Sequence, residues 1–254
     1  MKITHPRRPE DTKFSALFYG FTDSGKTYLL GTAEDCEETS PTLFINTDLG
    51  DTSLADHPKI SVVSPTNFDE LQEVYDYLRE DNTKYRSVSF DGLTAQQREI
   101  SMPTIMDEID DEQTFKDLSS SKPPTQQNWL RNQFQMRKVI KAFRGLTRLD
   151  SKHRIHVFFT AGERLDDRRD LGVPALPGVL GAEVGGYLDV MARLVLSTDE
   201  DGKEVRHLYT TKHESEDDFA YLGKNRLRRL PNRMKNPTIG RIMEYWMGKR
   251  AKKS

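Results

Sequence analysis

Eight consecutive residues combine glycine, lysine and a hydroxyl side chain at a spacing that suits phosphate chemistry. They are Gly20, Phe21, Thr22, Asp23, Ser24, Gly25, Lys26 and Thr27, in the pattern G-x-x-x-x-G-K-T, followed by Tyr28. The glycines allow a tight turn in which backbone N–H groups point at phosphate oxygens. Lys26 would reach the β- and γ-phosphates, and the Thr27 hydroxyl would bind Mg²⁺. Because the apolar run 16–19 supplies the preceding strand, the segment predicts a P-loop that binds a nucleoside triphosphate with Mg²⁺, by default ATP.

A second element of such a site is an apolar strand that ends in an aspartate, which holds Mg²⁺, usually through water. Residues 88–91 fit, so Asp91 is the expected metal residue; the alternative is an ordinary aspartate that caps the next turn. Because Gly92 follows, no glutamate stands beside Asp91 to polarise water, so either hydrolysis is weak or the base comes from elsewhere. Asp48, which ends the strand predicted over 44–48, is the candidate catalytic carboxylate, although it would also suit Mg²⁺ binding or a turn cap.

Three further residues are candidates for catalysis. Thr160 ends a predicted strand beside the expected γ-phosphate, where its hydroxyl could sense that phosphate or simply terminate the strand. Lys224 and Arg226 could form a basic finger that crosses a subunit interface, and such fingers contribute a rate factor of roughly 10³–10⁵. Either side chain could equally contact DNA or solvent.

The composition favours one sizeable α/β domain with decorations. The 254 residues are 35% hydrophobic and 31% charged, and no apolar run approaches the roughly 18 residues of a membrane span. A single cysteine, Cys36, excludes an internal disulfide and a cysteine-rich zinc site, so we expect a cytoplasmic protein without membrane contact. The net charge of −2 hides an acidic stretch at 107–117 and a basic end from Lys224 onward, which suits either a polyanionic partner or a solvated surface.

Strand and helix patterns alternate along the chain and predict an α/β fold with a mostly parallel central sheet flanked by helices. The expected strands are 16–19, 41–48, 59–63, 85–91, 154–160, 190–197 and 205–211, and the expected helices begin near residues 26, 66 and 126. The candidates for the buried side of the last helix, 126–146, are Trp129, Leu130, Phe134, Val139 and Phe143. Residues 101–124 predict a long mobile excursion, and the Gly- and Pro-rich residues 171–186 predict a loop.

The order of these segments resembles the phage-encoded nucleotide-binding proteins with a minimal RecA-type core, some of which are single-strand annealing recombinases. The segments that carry the resemblance are 19–20, 25–27, 44–48, 88–94, 158–161 and 174–178. It implies a RecA-like P-loop ATPase domain at 14–231 with a C-terminal β extension, between an N-terminal arm at 1–13 and a basic C-terminal segment at 232–254. The family's DNA-binding loop follows the sensor strand, which places Arg164, Arg168 and Arg169 near single-stranded DNA.

Three functions remain open at this point. The resemblance implies an ATP-hydrolysing phage recombination or annealing protein in the cytoplasm of a bacterial host. Such a protein would assemble as a ring or filament, bind single-stranded DNA and possess a phage replication or recombination partner. The alternative is a nucleotide-gated adaptor for a replication or packaging partner, which would suit the acidic excursion. A P-loop kinase for a small metabolite is less favoured, because no separate lid with clustered arginines is apparent.

Overall fold

The computed structural model describes residues 12–48, 50–107, 123–149, 152–167, 169–214 and 219–249. The strands are β1 (Ser15–Tyr19), β2 (Thr42–Asn46), β3 (Ser61–Val63), β4 (Ser87–Asp91), β5 (His156–Ala161), β6 (Glu163–Asp166), β7 (Leu171–Pro174), β8 (Val190–Thr198), β9 (Glu204–Tyr209), β10 (His213–Glu214), β11 (Ala220–Tyr221), β12 (Lys224–Asn225) and β13 (Arg233–Lys235). The α-helices are α1 (Lys26–Gly31), α2 (Phe68–Asp76), α3 (Leu93–Ala95), α4 (Met102–Asp107), α5 (Gln126–Gly145), α6 (Leu180–Glu183) and α7 (Ile239–Trp246). Turns of π-helix extend α2 over Tyr77–Asp81 and join α3 to α4 over Gln96–Ser101.

Nine of the described strands form the central sheet, in the order β13-β9-β8-β1-β5-β4-β2-β3, with β12 also paired to β8. The six strands from β8 to β3 are parallel, and β9, β12 and β13 add antiparallel pairs. Parallel strands need crossover connections, which here place helices on the sheet faces. The α/β class predicted from the sequence is therefore confirmed. The carboxyl ends of β1, β2, β4 and β5 all meet at one edge of the sheet, which we call the carboxyl edge.

The period of two along the central strands sends alternate side chains to opposite faces of the sheet. Leu17 packs with Phe143 of α5 on one face, whereas Phe18 lies with Trp246 of α7 in the cluster on the other face. All four side chains are at most 4% exposed. This double-sided burial makes the strands rigid supports for the loops at the carboxyl edge.

Helix α5 is present as predicted, but its buried side differs from the expected one. Val139 and Phe143 are buried, whereas Trp129, Leu130 and Phe134 are 43%, 52% and 58% exposed. The first half of the helix instead buries Asn128 and Asn132. The physical reason is that the neighbouring π-helical turn supplies hydrogen-bond partners to this half of α5, which an apolar surface would not do.

Part of the predicted excursion at 101–124 is helical. Residues 101–107 end the π-helical turn and form α4, and Ile105 and Met106 are buried. Residues 108–122 lie outside the described residues. The prediction of a mobile excursion is therefore wrong for residues 101–107, because buried apolar side chains anchor them.

The loop expected over 171–186 is also partly wrong. It contains β7 and α6, and β7 belongs to a second sheet of order β10-β11-β7-β6. Gly172 indicated a loop, but a Cβ at this position would lie 2.1 Å from the ring of Tyr221. The glycine therefore makes room for an aromatic ring within a sheet.

The residues assigned to a basic C-terminal segment contain regular structure. β13 pairs with β9, and α7 buries Ile239, Ile242, Met243 and Trp246. The Phe14 and Trp246 rings have centroids 4.6 Å apart, so this helix packs close to the start of β1. None of the helices in the described part of the chain has the length and apolar character that a bilayer-spanning segment needs.

Candidate nucleotide site

The P-loop begins where β1 reaches the carboxyl edge. A Cβ at Gly20 would lie 2.2 Å from the carbonyl oxygen of Leu194, so this position requires the close approach that glycine permits. Gly25 has a φ of 87° and leads directly into α1 at Lys26. Lys26 Nζ donates to the carbonyl oxygens of Gly20 at 3.1 Å and Phe21 at 2.6 Å. These contacts hold the Lys26 side chain against the backbone of its own loop.

Asp91 lies at the centre of a hydrogen-bonded group that joins three elements. Thr27 Oγ1 donates to Asp91 Oδ2 at 2.6 Å, and Thr160 Oγ1 donates to Asp91 Oδ1. The N–H of Gly92 donates to Thr160 Oγ1 at 2.8 Å, so Thr160 connects β5 to the end of β4. The structure thus brings together the predicted Thr27, Asp91 and Thr160. Their hard oxygen atoms fit the ligand preference of Mg²⁺, with Thr27 and Asp91 as its proposed holders.

Burial changes the proton affinities of the two central charged groups. Burial raises the pKa of Asp91, although the hydrogen bonds from Thr160 and Thr27 oppose that rise. Burial likewise lowers the pKa of Lys26, and the nearby carboxylates of Asp91 and Asp48 oppose that change. Both charges are therefore held at an energetic cost, which a cation at Asp91 and a phosphate at Lys26 would relieve.

A cavity of about 690 Å³ opens over this group and has the size of an ordinary small-ligand site. Its lining includes Thr22, Asp23, Gly25, Lys26, Thr27, Tyr28, Asp48 and Thr160. Asp48 follows β2 and is exposed, and its Oδ1 accepts from the N–H of Gly50 at 3.1 Å. The turn cap at Gly50 is therefore present, and the catalytic and Mg²⁺-binding roles of Asp48 stay predictions.

Three charged residues that line the cavity were missed by sequence reasoning. They are Arg98 and Glu99, on the π-helical turn after Asp91, and Arg206, on β9. Arg98 and Glu99 are exposed. Arg98 and Glu99 lie fewer than ten residues after Asp91, and this proximity is the only sequence signal that indicates them. No local sequence pattern indicates Arg206.

The two candidate finger residues lie at the opposite end of the strands. β12 pairs with the first residues of β8, so Lys224 and Arg226 lie near the amino edge of the sheet. Lys224 Nζ donates to the carbonyl oxygen of Gly185, and Arg226 Nε lies 3.3 Å from Asp189 Oδ1. Within one chain they do not line the cavity, so a finger role stays a prediction that requires a second subunit.

The residues implied to bind DNA occupy a hairpin rather than a loop. Arg164 lies on β6, and its Nη2 donates to the carbonyl oxygen of Gly178 at 2.8 Å. Arg169 pairs with Asp166 at 2.9 Å, while Arg168 lies outside the described residues. The structure places Arg164 and Arg169 in one hairpin beyond Thr160, but their contact with DNA stays a prediction.

Next to this hairpin, α5 presents exposed rings together with cations. The guanidinium of Arg137 lies 5.5 Å from the centroid of the Phe134 ring, and Lys141 Nζ lies 4.7 Å from that of Tyr187. Gln133 packs on Gly178, whose carbonyl oxygen binds Arg164. We call Trp129, Leu130, Phe134, Arg137, Lys141 and Arg164 the α5 face.

Comparisons with known proteins were made by sequence and by structure. A sequence search finds no match among curated proteins. Solved structures with similarity include the RadB recombinase, at 15% identity over 77% of this chain and 79% of that chain with a TM-score of 0.41. Another is EscN, the type III secretion ATPase of enteropathogenic E. coli, at 15% identity over 72% of this chain with a TM-score of 0.45. This chain spans 43% of the EscN chain.

The decisive comparison is with a family of domains. The sequence model of the AAA_24 family, described as an AAA domain, matches residues 12–227, far more than half of the chain. The matched range contains the P-loop, Asp48, Asp91 and Thr160, which the fold gathers at the carboxyl edge. The chain belongs to the AAA_24 family of AAA domains and is an ATPase domain.

Proposed function

We propose that this ATPase binds single-stranded DNA on the α5 face and serves DNA recombination of the single-strand annealing type. In this proposal Lys26 binds the phosphates, Thr27 and Asp91 hold Mg²⁺, and Asp48 orients the attacking water. Thr160 senses the γ-phosphate through its hydrogen bond to Asp91. One observation carries the DNA part: the exposed Phe134 ring lies under the guanidinium of Arg137 on α5.

The chemistry of the α5 face fits a single strand better than a duplex. Unpaired bases expose their π-faces, and stacking on an aromatic side chain contributes about 1–3 kcal/mol per base. Trp129 and Phe134 offer rings that are 43% and 58% exposed. Since neither ring is buried in the domain, both are available for stacking.

The charges of the α5 face fit a phosphate backbone. Arg137, Lys141 and Arg164 bring three cations, and Glu183, 2.9 Å from Arg137, opposes one of them. Cations that meet phosphates release counterions, which makes binding sensitive to salt but largely indifferent to sequence. We therefore expect a binder of single strands with modest sequence preference.

The face is also connected along the chain to Thr160. Thr160 is the fifth residue of β5, and β6 with Arg164 follows two residues after β5 ends. Thr94 Oγ1 accepts from the N–H of Gly162 at 2.9 Å and donates to the carbonyl oxygen of Ala175 at 3.0 Å. A shift at Thr160 would thus reach the residues that contact α5. We propose that DNA and ATP influence each other by this route and that the protein assembles as a ring or filament.

The test measures binding of a fluorescent oligo-dT strand by anisotropy at low and moderate salt. Trp129→Ala combined with Phe134→Ala should weaken binding at least tenfold, because two stacking rings are lost. Tyr77→Ala is the matched control, since Tyr77 is an exposed ring, 37% accessible, in the π-helical turn that extends α2 and outside the α5 face. Circular dichroism verifies that the variants fold.

An unchanged affinity in the double variant would contradict the α5 face as the DNA site. Absence of binding by the wild-type protein at low salt would reject the DNA function. If ATP then altered oligomeric state while DNA had no effect, the nucleotide-gated adaptor would be the better description.

A further inference from the structure

Arg206 extends from β9 over the P-loop of its own chain. A Cβ at Gly25 would lie 2.2 Å from Arg206 Nε and 3.0 Å from its Cδ, so the arginine side chain lies directly against that glycine. Arg206 also lines the nucleotide cavity with Lys26 and Thr27. Its place in the fold is thus the wall of the cavity on the side of β9.

The Nε of Arg206 differs from that of Arg193, another arginine of the central sheet. It is buried and has no hydrogen-bond partner in the described part of the chain, while the Cζ of Arg206 lies 5.3 Å from the centroid of the Tyr28 ring. In contrast, Arg193 on β8 pairs with Glu163 at 2.8 Å. Stacking on Tyr28 orients the planar group and leaves its N–H donors available.

The backbone of Arg206 is fixed on both sides. Its N–H donates to Asn236 Oδ1 at 3.1 Å, and the N–H of Asn236 donates to its carbonyl oxygen at 2.7 Å. On the other side β9 pairs with β8, with Arg206 opposite Leu196. A cation on such a rigid strand is preorganised, which is how charge in a transition state is stabilised most effectively.

Building on the proposed function of this site, we propose that Arg206 is a catalytic residue that contacts the γ-phosphate and the β–γ bridging oxygen of ATP in cis. During hydrolysis the water oxygen forms a bond to the γ-phosphorus, and the bond between that phosphorus and the β–γ bridging oxygen breaks. ADP leaves with the electron pair of the broken bond, and a proton of the water passes to solvent by way of Asp48. Negative charge grows on the bridging oxygen, and the N–H groups of Arg206 neutralise it.

The first experiment separates catalysis from folding and nucleotide binding. It compares wild type, Arg206→Ala and Arg206→Lys by kcat, by the Kd of a fluorescent Mg-ADP analogue, and by capture of Mg-ADP with aluminium fluoride, which mimics the transferring phosphoryl group. Arg206→Ala should lower kcat about 10²–10³-fold and abolish capture, with the Mg-ADP Kd changed less than about threefold. Arg206→Lys should recover part of the capture, because it keeps the charge but loses the fork of donors.

Arg233→Ala is the matched control. Arg233 lies on the neighbouring strand β13, is exposed, and has its guanidinium 5.6 Å from the centroid of the Tyr209 ring, but it does not line the nucleotide cavity. It should behave as wild type. Wild-type kcat and capture in Arg206→Ala would overturn the proposal. The proposal would also be overturned if Arg206→Lys lost Mg-ADP binding and capture to the same extent. That result would assign Arg206 a structural role.

A mixing experiment tests whether Arg206 acts in cis. Arg206→Ala chains are mixed with Lys26→Ala chains over a range of ratios. Because Lys26 and Arg206 serve the same site of one chain, no mixture should regain activity. Activity that reappears on mixing would mean that Arg206 reaches a neighbour's site and would overturn the cis assignment.

Discussion

The carboxyl edge and the α5 face recognise phosphate in different ways. At the carboxyl edge, Asp91 is buried and Lys26 is half-buried, and hydrogen bonds across three elements fix their positions. On the α5 face, Phe134 and Trp129 are exposed, and the guanidinium of Arg137 lies over the Phe134 ring. The first arrangement suits one small anion in one geometry, and the second suits a long flexible anion in many registers. The comparison teaches that burial separates a catalytic phosphate site from a polymer-binding one.

The largest expected effect is confined to the carboxyl edge. Lys26→Ala should reduce kcat for ATP hydrolysis about 10³-fold or more, because the variant loses the ammonium group that compensates the negative charge of the phosphates. Single-stranded DNA binding at low salt should remain. Lys203→Ala, which changes an exposed lysine of the β8–β9 turn, is the control. Hydrolysis by Lys26→Ala at the wild-type rate would refute the site.

A second substitution sharpens the account of the attacking water. Asp48→Asn should lower kcat about 10²–10³-fold while leaving the Mg-ADP Kd nearly unchanged, since a general base acts on the chemical step. Asp56→Asn, at an exposed aspartate nearby in sequence, is the control. Glu99→Gln is the rival variant, because Glu99 lines the same cavity. A loss restricted to Glu99→Gln would transfer the role from Asp48 to Glu99.

The α5 face should respond more weakly and in a salt-dependent manner. Arg164→Ala should lower the slope of log affinity for oligo-dT against log salt by about 0.7, the value for one phosphate contact on a single strand. Arg169→Ala should change the slope less, because Arg169 already pairs with Asp166 at 2.9 Å. Salt titrations of the two variants decide between them. Equal slopes for Arg164→Ala and wild type would remove Arg164 from the face.

The smallest effect concerns stability. Because burial raises the pKa of Asp91, this group favours the folded state below its unfolded pKa and loses that contribution as pH rises through the folded pKa. The charged carboxyl is therefore unfavourable in the folded state at any pH above the folded pKa. Asp91→Asn should stabilise the protein purified without nucleotide by about 1 kcal/mol and raise Tm by about 2–4 °C. The same variant should lose Mg²⁺-dependent hydrolysis.

Thermal unfolding of Asp91→Asn and wild type over a range of pH checks this sign. The stability difference should be largest at neutral pH and shrink in acid. A variant that is less stable than wild type at neutral pH would show that the hydrogen bonds from Thr27 and Thr160 outweigh the cost of burial.

The carboxyl edge was predictable because its main groups are contiguous or end apolar strands. The P-loop is one motif, and Asp48 and Asp91 follow strands whose parallel pairing brings their ends together. Arg206 was not predictable, because a pairing between distant strands brings it to Gly25, some 180 residues earlier in the chain.

The α5 face shows a different limit of sequence reasoning. Helical spacing correctly indicated an amphipathic helix, but apolar type alone assigned Trp129 and Phe134 to its buried side. The buried Asn132 donates to the carbonyl oxygen of Gln97 at 3.4 Å and accepts from Ser101 at 3.0 Å. Polar residues can occupy a core when a neighbour satisfies them, and that neighbour is not visible in a local pattern. In the same way, the number of cations indicated only a basic segment at 232–254, although this segment contains α7 with its buried apolar side.

The most direct test of the central claim is ATP hydrolysis with and without oligo-dT in three proteins. They are wild type, Lys26→Ala, and Trp129→Ala combined with Phe134→Ala. We expect DNA to stimulate the wild type, Lys26→Ala to be inactive in both conditions, and the double variant to keep basal hydrolysis without stimulation. Equal stimulation of wild type and the double variant, or none in the wild type, would contradict the division of labour between the carboxyl edge and the α5 face.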